Sequence, residues 1–257
     1  MNIVGLGSAG CNIAKEYLQY PQYEIFSVDS KNNDYVNFVE VQQQKTHHDY
    51  ESRYIDLGFS KLSGETVLIL SGAGKISGIS LRLLEEMKNC DIRVVYIKPS
   101  ENDMSPESRL RDRLTCQVLQ QYARSGLIKE ICLVSNDRLE TIVGQFSIKD
   151  YWQTMNKVVV STLHMIDVFS NVEPLLTNFV DPPDTARIKT VGVVNFETGE
   201  ESLFYDLAYP RSKLFYFGLN SDYIDENKSL LQDVRKMIKE NSGEKISTCF
   251  SIFSTKY

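Results

Sequence analysis

Apolar positions fall in two rhythms along this chain. Five short runs rich in Ile and Val, at residues 2–6, 23–28, 66–70, 92–97 and 131–134, are bounded by Gly, Pro, Asp or Asn. Uninterrupted runs of that length predict strands buried on both faces, as in a parallel sheet. Between them, residues 11–19, 78–89 and 106–125 carry apolar side chains three and four apart, the period of a helix with one buried face. Ser105 followed by Pro106 supplies an N-cap and a first-turn proline for the last of these. Strands alternating with amphipathic helices predict an α/β fold, a doubly wound parallel sheet of Rossmann-like type.

The pattern then changes. Residues 149–170, KDYWQTMNKVVVSTLHMIDVFS, are apolar on several sides and hold neither Gly nor Pro, which predicts a long, central, buried helix. After it, residues 172–189 contain three prolines between Pro174 and Pro183 and cannot continue a helix. Further strands are predicted at 190–196, 202–208, 213–219 and 246–253, with one amphipathic helix at 226–241 ended by Ser242 and Gly243. The expected organisation is a nucleotide-sized domain at 1–148, the central helix at 149–171, an acidic, proline-bearing loop at 172–189 and a small α+β domain at 190–257.

Composition narrows the partners. The 257 residues are 42% hydrophobic, so a substantial core is available and bulk disorder is excluded. With 28 basic against 34 acidic residues the net charge is −6, and no Lys/Arg-rich run offers a footprint for nucleic acid or for an anionic membrane. The five cysteines are odd in number and share no CxxC spacing, which reads as thiols in a reducing compartment. His47 and His48 are adjacent and His164 lies on a predicted helix, so no zinc-type spacing exists and no metal held by protein ligands alone is expected. The N-terminal MNIVGLGSAG has no basic leader region and no apolar stretch near the ~20 residues of a membrane span, and a cytoplasmic protein is expected.

Two glycine-rich turns carry the chemistry. Gly5-Leu6-Gly7-Ser8-Ala9-Gly10 is a GxGxxG directly after a predicted strand, where glycines let backbone N–H groups approach a phosphate at a helix N-terminus. Asp29 closes the second strand, the position of a ribose-binding acid in a dinucleotide fold. The second turn, Ser71-Gly72-Ala73-Gly74-Lys75-Ile76-Ser77-Gly78, is not a P-loop, because Ile69 and Ile76 stand where that motif needs Gly and Ser/Thr. Two phosphate cradles in one sheet favour a nucleoside triphosphate over a dinucleotide.

The order of these motifs resembles the tubulin/FtsZ family of GTPases, from the N-terminus to about Lys189. Gly5, Gly7, Ser8, Ala9, Gly10, Cys11 and Asn12 are similar to that family's first glycine loop, whose closing Asn reads guanine. Gly72, Ala73, Gly74, Lys75, Ile76 and Ser77 resemble its signature loop, with Ala73, Lys75 and Ile76 where the family typically has Gly, Thr and Gly. VVYIKPS followed by Glu107 and Arg111 is similar to the strand, Pro-containing loop and Glu-x-x-x-Arg helix whose Glu meets the ribose and whose Arg approaches the nucleotide. LVSNDRL resembles the strand and turn that precede the central helix. On that helix Trp152 and Asn156 keep the spacing of an aromatic that stacks on the base and an Asn that bonds it. Asp181-Pro182-Pro183-Asp184 is similar to the acidic loop whose carboxylates act on the neighbouring subunit's nucleotide.

The resemblance implies a protein that binds GTP or GDP with Mg²⁺ and assembles with itself, head to tail, into a homopolymer filament. GTP hydrolysis would be completed by Asp181 and Asp184 of the adjacent subunit. The part after Arg187, about 70 residues, is shorter than the family's and resembles divergent phage or plasmid tubulins, which implies the host cytoplasm for a phage-encoded chain. Two alternatives stay open: an NAD(P)-dependent oxidoreductase built on Gly5–Gly10 and Asp29, and a nucleotide-binding scaffold of the same family that does not hydrolyse.

Overall fold

The computed structural model describes residues 1–144, 147–180, 185–243 and 246–255. The five expected strands are β1 (Asn2–Leu6), β2 (Glu24–Asp29), β4 (Gly64–Leu70), β5 (Cys90–Lys98) and β6 (Glu130–Ser135). With the short edge strands β3 (Phe38–Glu40) and β8 (Ile188–Lys189) they form one parallel sheet in the order β3-β2-β1-β4-β5-β6-β8.

Alternation along each strand divides the core in two. Val4, Leu68, Val94 and Leu133 face α3 (Ser80–Glu86) and α4 (Pro106–Ser125), along with Tyr50 of α2 (His47–Ser52). Ile3, Val67, Val95 and Cys132 face α1 (Gly7–Glu16), α5 (Asn136–Val143) and α6 (Tyr151–Ser170). Period-two strands with helices on each face make the doubly wound α/β sheet.

The long apolar run forms α6, yet only Met155, Val159, Val160 and Leu163 are fully buried, all on the face toward α1 and the sheet. Its surplus apolar surface has a second use at the far end. Phe169 stacks on Phe253 with ring centroids 4.5 Å apart, against a second, three-stranded sheet. That sheet has the order β11-β12-β7, made of β11 (Ser212–Asn220), β12 (Ser247–Thr255) and β7 (Leu176–Thr177). Gly218 of β11 is needed there, since a Cβ would stand 2.5 Å from the Phe169 ring.

The C-terminal helix divides into α7 (Ser221–Glu226) and α8 (Leu230–Asn241), because Asn227 accepts from the backbone N–H of Ser229 and opens a new start. Val234 and Met237 of α8 pack on Phe215, Phe217 and Phe250. Strands 190–196 and 202–208 shrink to a hairpin of β9 (Gly192–Val194) and β10 (Glu201–Leu203). Its flanking Val191 and Phe204 turn back into the core of the large sheet, and the Phe204 carbonyl accepts from the Ser135 N–H at 2.7 Å.

Candidate functional site

β1 and β4 are hydrogen-bonded neighbours, but the helices that follow them pack on opposite faces of the sheet. Strand order reverses between them, which opens a crevice beyond their carboxyl ends, the usual ligand position in open α/β sheets. Both glycine turns lie there, one leaving β1 and the other leaving β4.

The first turn is built by close approach. A Cβ on Gly5 would stand 2.6 Å from the Gly10 carbonyl oxygen, and one on Gly10 would stand 2.2 Å from that of Ile69. Gly7 has φ of 69°, the left-handed region. These glycines bring α1 directly against β1 and β4, and the helix begins inside the motif. No side chain caps its N-terminus and no acid lies in its first turn, so N–H groups and the positive dipole end are left for an anion.

Ser8 and Ala9 are exposed, whereas Gly10 and Cys11 are buried. The Ser8 hydroxyl donates to Asp29 Oδ2 at 2.9 Å, and the Ser30 N–H donates to Asp29 Oδ1 at 2.7 Å. Asp29 is 4% exposed and committed to these partners rather than turned toward a ribose. The Cys11 thiol donates to the Gly5 carbonyl, with burial pushing its pKa up to about 12, so the side chain supports the turn from beneath. Asn12 is exposed, and its Oδ1 accepts from the Tyr35 hydroxyl at 2.9 Å. Asn33 donates to Tyr35 in turn, which orients the hydroxyl toward Asn12.

The second turn is held from behind. The Ser77 hydroxyl donates to the carbonyls of Gly72 and Gly74 at 2.9 and 2.7 Å, so its proton is used within the loop. Arg111 Nε, reaching over from α4, donates to the Ala73 carbonyl at 3.0 Å. Gly72 rests on the buried pair Tyr96–Asp112: the Tyr96 hydroxyl donates to Asp112 Oδ1 at 2.6 Å, and a Cβ on Gly72 would lie 2.1 Å from that hydroxyl. Lys75 is exposed, with no ion-pair partner among the described residues, and Glu107 is exposed in the first turn of α4.

α1 and α6 pack side by side. Ile13 and Tyr17 share a cluster with Val159 and Leu163, and the Tyr20 ring stacks on His164 at 3.6 Å. Trp152 is the second residue of α6. It is 57% exposed, braced edge-on by Tyr151, and Asn156 follows one turn later, half-buried. Asp181 and Asp184 lie outside the described residues.

No family model and no curated protein sequence matches this chain. Solved structures do match. An empty FtsZ dimer from M. jannaschii aligns with a TM-score of 0.67 at 11% identity, over 99% of this chain and 83% of that one. TubZ of Bacillus thuringiensis serovar israelensis, in a GTPγS-form protofilament, aligns with a TM-score of 0.67 at 13% identity, over 100% and 85%. The chain has the tubulin/FtsZ fold. CetZ1 from Haloferax volcanii, a GDP-bound monomer, shares it with a TM-score of 0.61 at 11% identity, over 98% and 89%.

Within the tubulin/FtsZ fold the switch-point crevice collects both glycine turns and Arg111. Sequence reasoning passed over Tyr35, Tyr96 and Asp112, which support these turns. The available signal was an acid on the buried face of an otherwise polar helix start, at Asp112, opposite a tyrosine inside a strand. Among the described residues no group of three metal-ligating side chains is assembled. Among the described residues Asp29 and Asp112 are committed to internal partners, so neither carboxylate is open to a metal. Among the described residues, no helix is long and apolar enough to cross a membrane.

Proposed function

We propose that this chain is a guanine-nucleotide-binding protein that polymerises head to tail, with the nucleotide held in the crevice between the two glycine turns. The observation that carries the reading is the position of both turns at the strand-order reversal of a sheet with the tubulin/FtsZ fold. Two structures sharing that fold carry GTPγS in a protofilament and GDP in a monomer.

In this reading residues 1–148 are the nucleotide domain, 149–171 the central helix and 190–257 a small C-terminal domain. The first-turn N–H groups of α1, Lys75 and Arg111 neutralise the phosphates, Trp152 stacks on the base, Glu107 meets the ribose, and Asn12 and Asn156 bond the guanine edge. The 172–189 loop of the next subunit delivers Asp181 and Asp184. One carboxylate accepts a proton from water while the water oxygen bonds to the terminal phosphorus, releasing GDP and phosphate. A heterologous contact that does not close on itself gives an open filament, so nucleotide state and polymer state are linked. A divalent ion would come with the phosphates and offset their charge. The reading includes a cytoplasmic location, supported by five free thiols.

The deciding experiment denatures the purified chain and identifies the nucleotide released, alongside binding of added GTP. Guanine nucleotide supports the reading. NAD(P) in its place, or no binding of added GTP, overturns it. A scaffold that binds without hydrolysing is the second reading, favoured by the inward-turned Ser77 hydroxyl and by Ile76 in the signature loop.

A further inference from the structure

We propose that Ile76 sets how many phosphates the crevice accepts, biasing it toward guanosine diphosphate over the triphosphate; this rests on the guanine-nucleotide reading above. Ile76 opens the path from the second turn toward α3, within the 3₁₀ segment Lys75–Ile79. Its Cγ2 lies 2.8 Å from the place a Cβ on Gly7 would take, and 3.9 Å from the corresponding place on Gly74. One methyl group is thus pressed against the first turn, and hydrocarbon closes the gap between the two cradles at Gly7.

The side chain is not free to swing aside. It is half-buried and packs on the core beneath α2 and α3, and β-branching restricts its rotamers. The backbone that carries it is also restrained. Three successive carbonyls of the loop, at Gly72, Ala73 and Gly74, accept hydrogen bonds from Ser77 or Arg111. Withdrawal of Ile76 therefore costs contacts both at its tip and at its base.

A phosphate oxygen placed against that methyl loses water and gains no donor. Two phosphates can be served by the α1 N-terminus with Lys75 at their side. The third, which carries the greatest charge and reaches furthest toward the second turn, meets the hydrocarbon. A glycine at this position would instead expose the loop's own N–H groups to it.

The test is equilibrium titration of the nucleotide-free full chain with GDP and with GTPγS, for wild type, Ile76→Gly and Ile76→Ala. Wild type is expected to bind GDP at least as tightly as GTPγS, and Ile76→Gly to improve GTPγS relative to GDP by roughly tenfold. Ile76→Ala, which trims the hydrocarbon without adding glycine's backbone freedom, should move the ratio in the same direction and decides the matter if the glycine variant does not fold. Binding of both ligands with a ratio unchanged by either substitution overturns the role of Ile76 alone. Failure of all three chains to bind either ligand overturns the guanine-nucleotide reading, and this inference with it.

Discussion

Asn12 and Asn156 differ in what they have left to offer a base. Asn12 already accepts from Tyr35 through Oδ1, which uses one of that oxygen's two lone pairs, whereas Asn156 makes no side-chain hydrogen bond among the described residues and keeps both edges of its amide. Guanine's N1 and N2 are donors and need an acceptor, and in this pair Asn156 supplies the uncommitted one. Asn156→Ala should therefore weaken GTP by roughly tenfold while leaving the weaker binding of ATP nearly unchanged. Equal losses for the two nucleotides in a competition titration would remove Asn156 from base recognition. Lys75 makes a separate claim. It is exposed and holds no carboxylate among the described residues, so its charge contributes little to folding. Lys75→Ala is expected to lower GTP affinity by roughly tenfold at unchanged Tm. Unaltered affinity would show a solvated side chain with no phosphate beneath it.

At the scale of elements, the second glycine turn depends on the contact between β5 and α4. Burial raises the Asp112 carboxyl above the usual range, and the Tyr96 hydrogen bond acts against that shift by stabilising the carboxylate. A raised carboxyl pKa means that this group's contribution to stability is fully present below its unfolded pKa and is lost as pH rises through the folded value. Tyr96→Phe removes the compensating donor and raises the folded value further. The variant should lose about 1–3 kcal/mol in denaturant unfolding at pH 7, and less at pH 4, where the carboxyl is closer to protonated in both chains. A loss independent of pH would mean that packing rather than the hydrogen bond is being measured. The contrast also shows what sequence makes legible. The five central strands and α4 were readable because each is specified by its own apolar period or cap. β3 and β8, of three and two residues, exist only through pairing with β2 and β6, and α2 has the polar sequence HHDYES closed by a Thr46–Asp49 capping box. The glycine turns were readable because close approach and positive φ exclude other residues. Their supports were not, since Tyr35, Tyr96, Asp112 and the Ile76 methyl act on residues distant in sequence.

For the whole molecule, the proposal turns on whether one chain holds a complete site. The approach to the acidic loop is apolar and exposed: Val172, Leu175 and Val180 are 52%, 61% and 72% accessible, close together in sequence. A run of that kind on a single chain is a liability unless another surface covers it, which supports this loop as the contact with the next subunit. If Asp181 and Asp184 act on the neighbour's nucleotide, specific activity must rise with protein concentration, because an isolated chain lacks the carboxylates that activate water. Asp184→Ala should leave GTP binding intact, as it touches no phosphate of its own chain, and slow turnover by roughly 10²–10⁴-fold, the loss typical of a positioned acid–base group. Filaments formed by that variant should persist longer under sedimentation, since the nucleotide at each contact stays unhydrolysed. The prolines between the aspartates limit how far the carboxylates can adjust, so a loop that presents them wrongly would give assembly without turnover, the scaffold reading. Turnover per molecule that stays constant across a concentration series spanning assembly would rule out a shared site. An Asp181→Ala/Asp184→Ala double variant with full activity would place hydrolysis elsewhere in the chain.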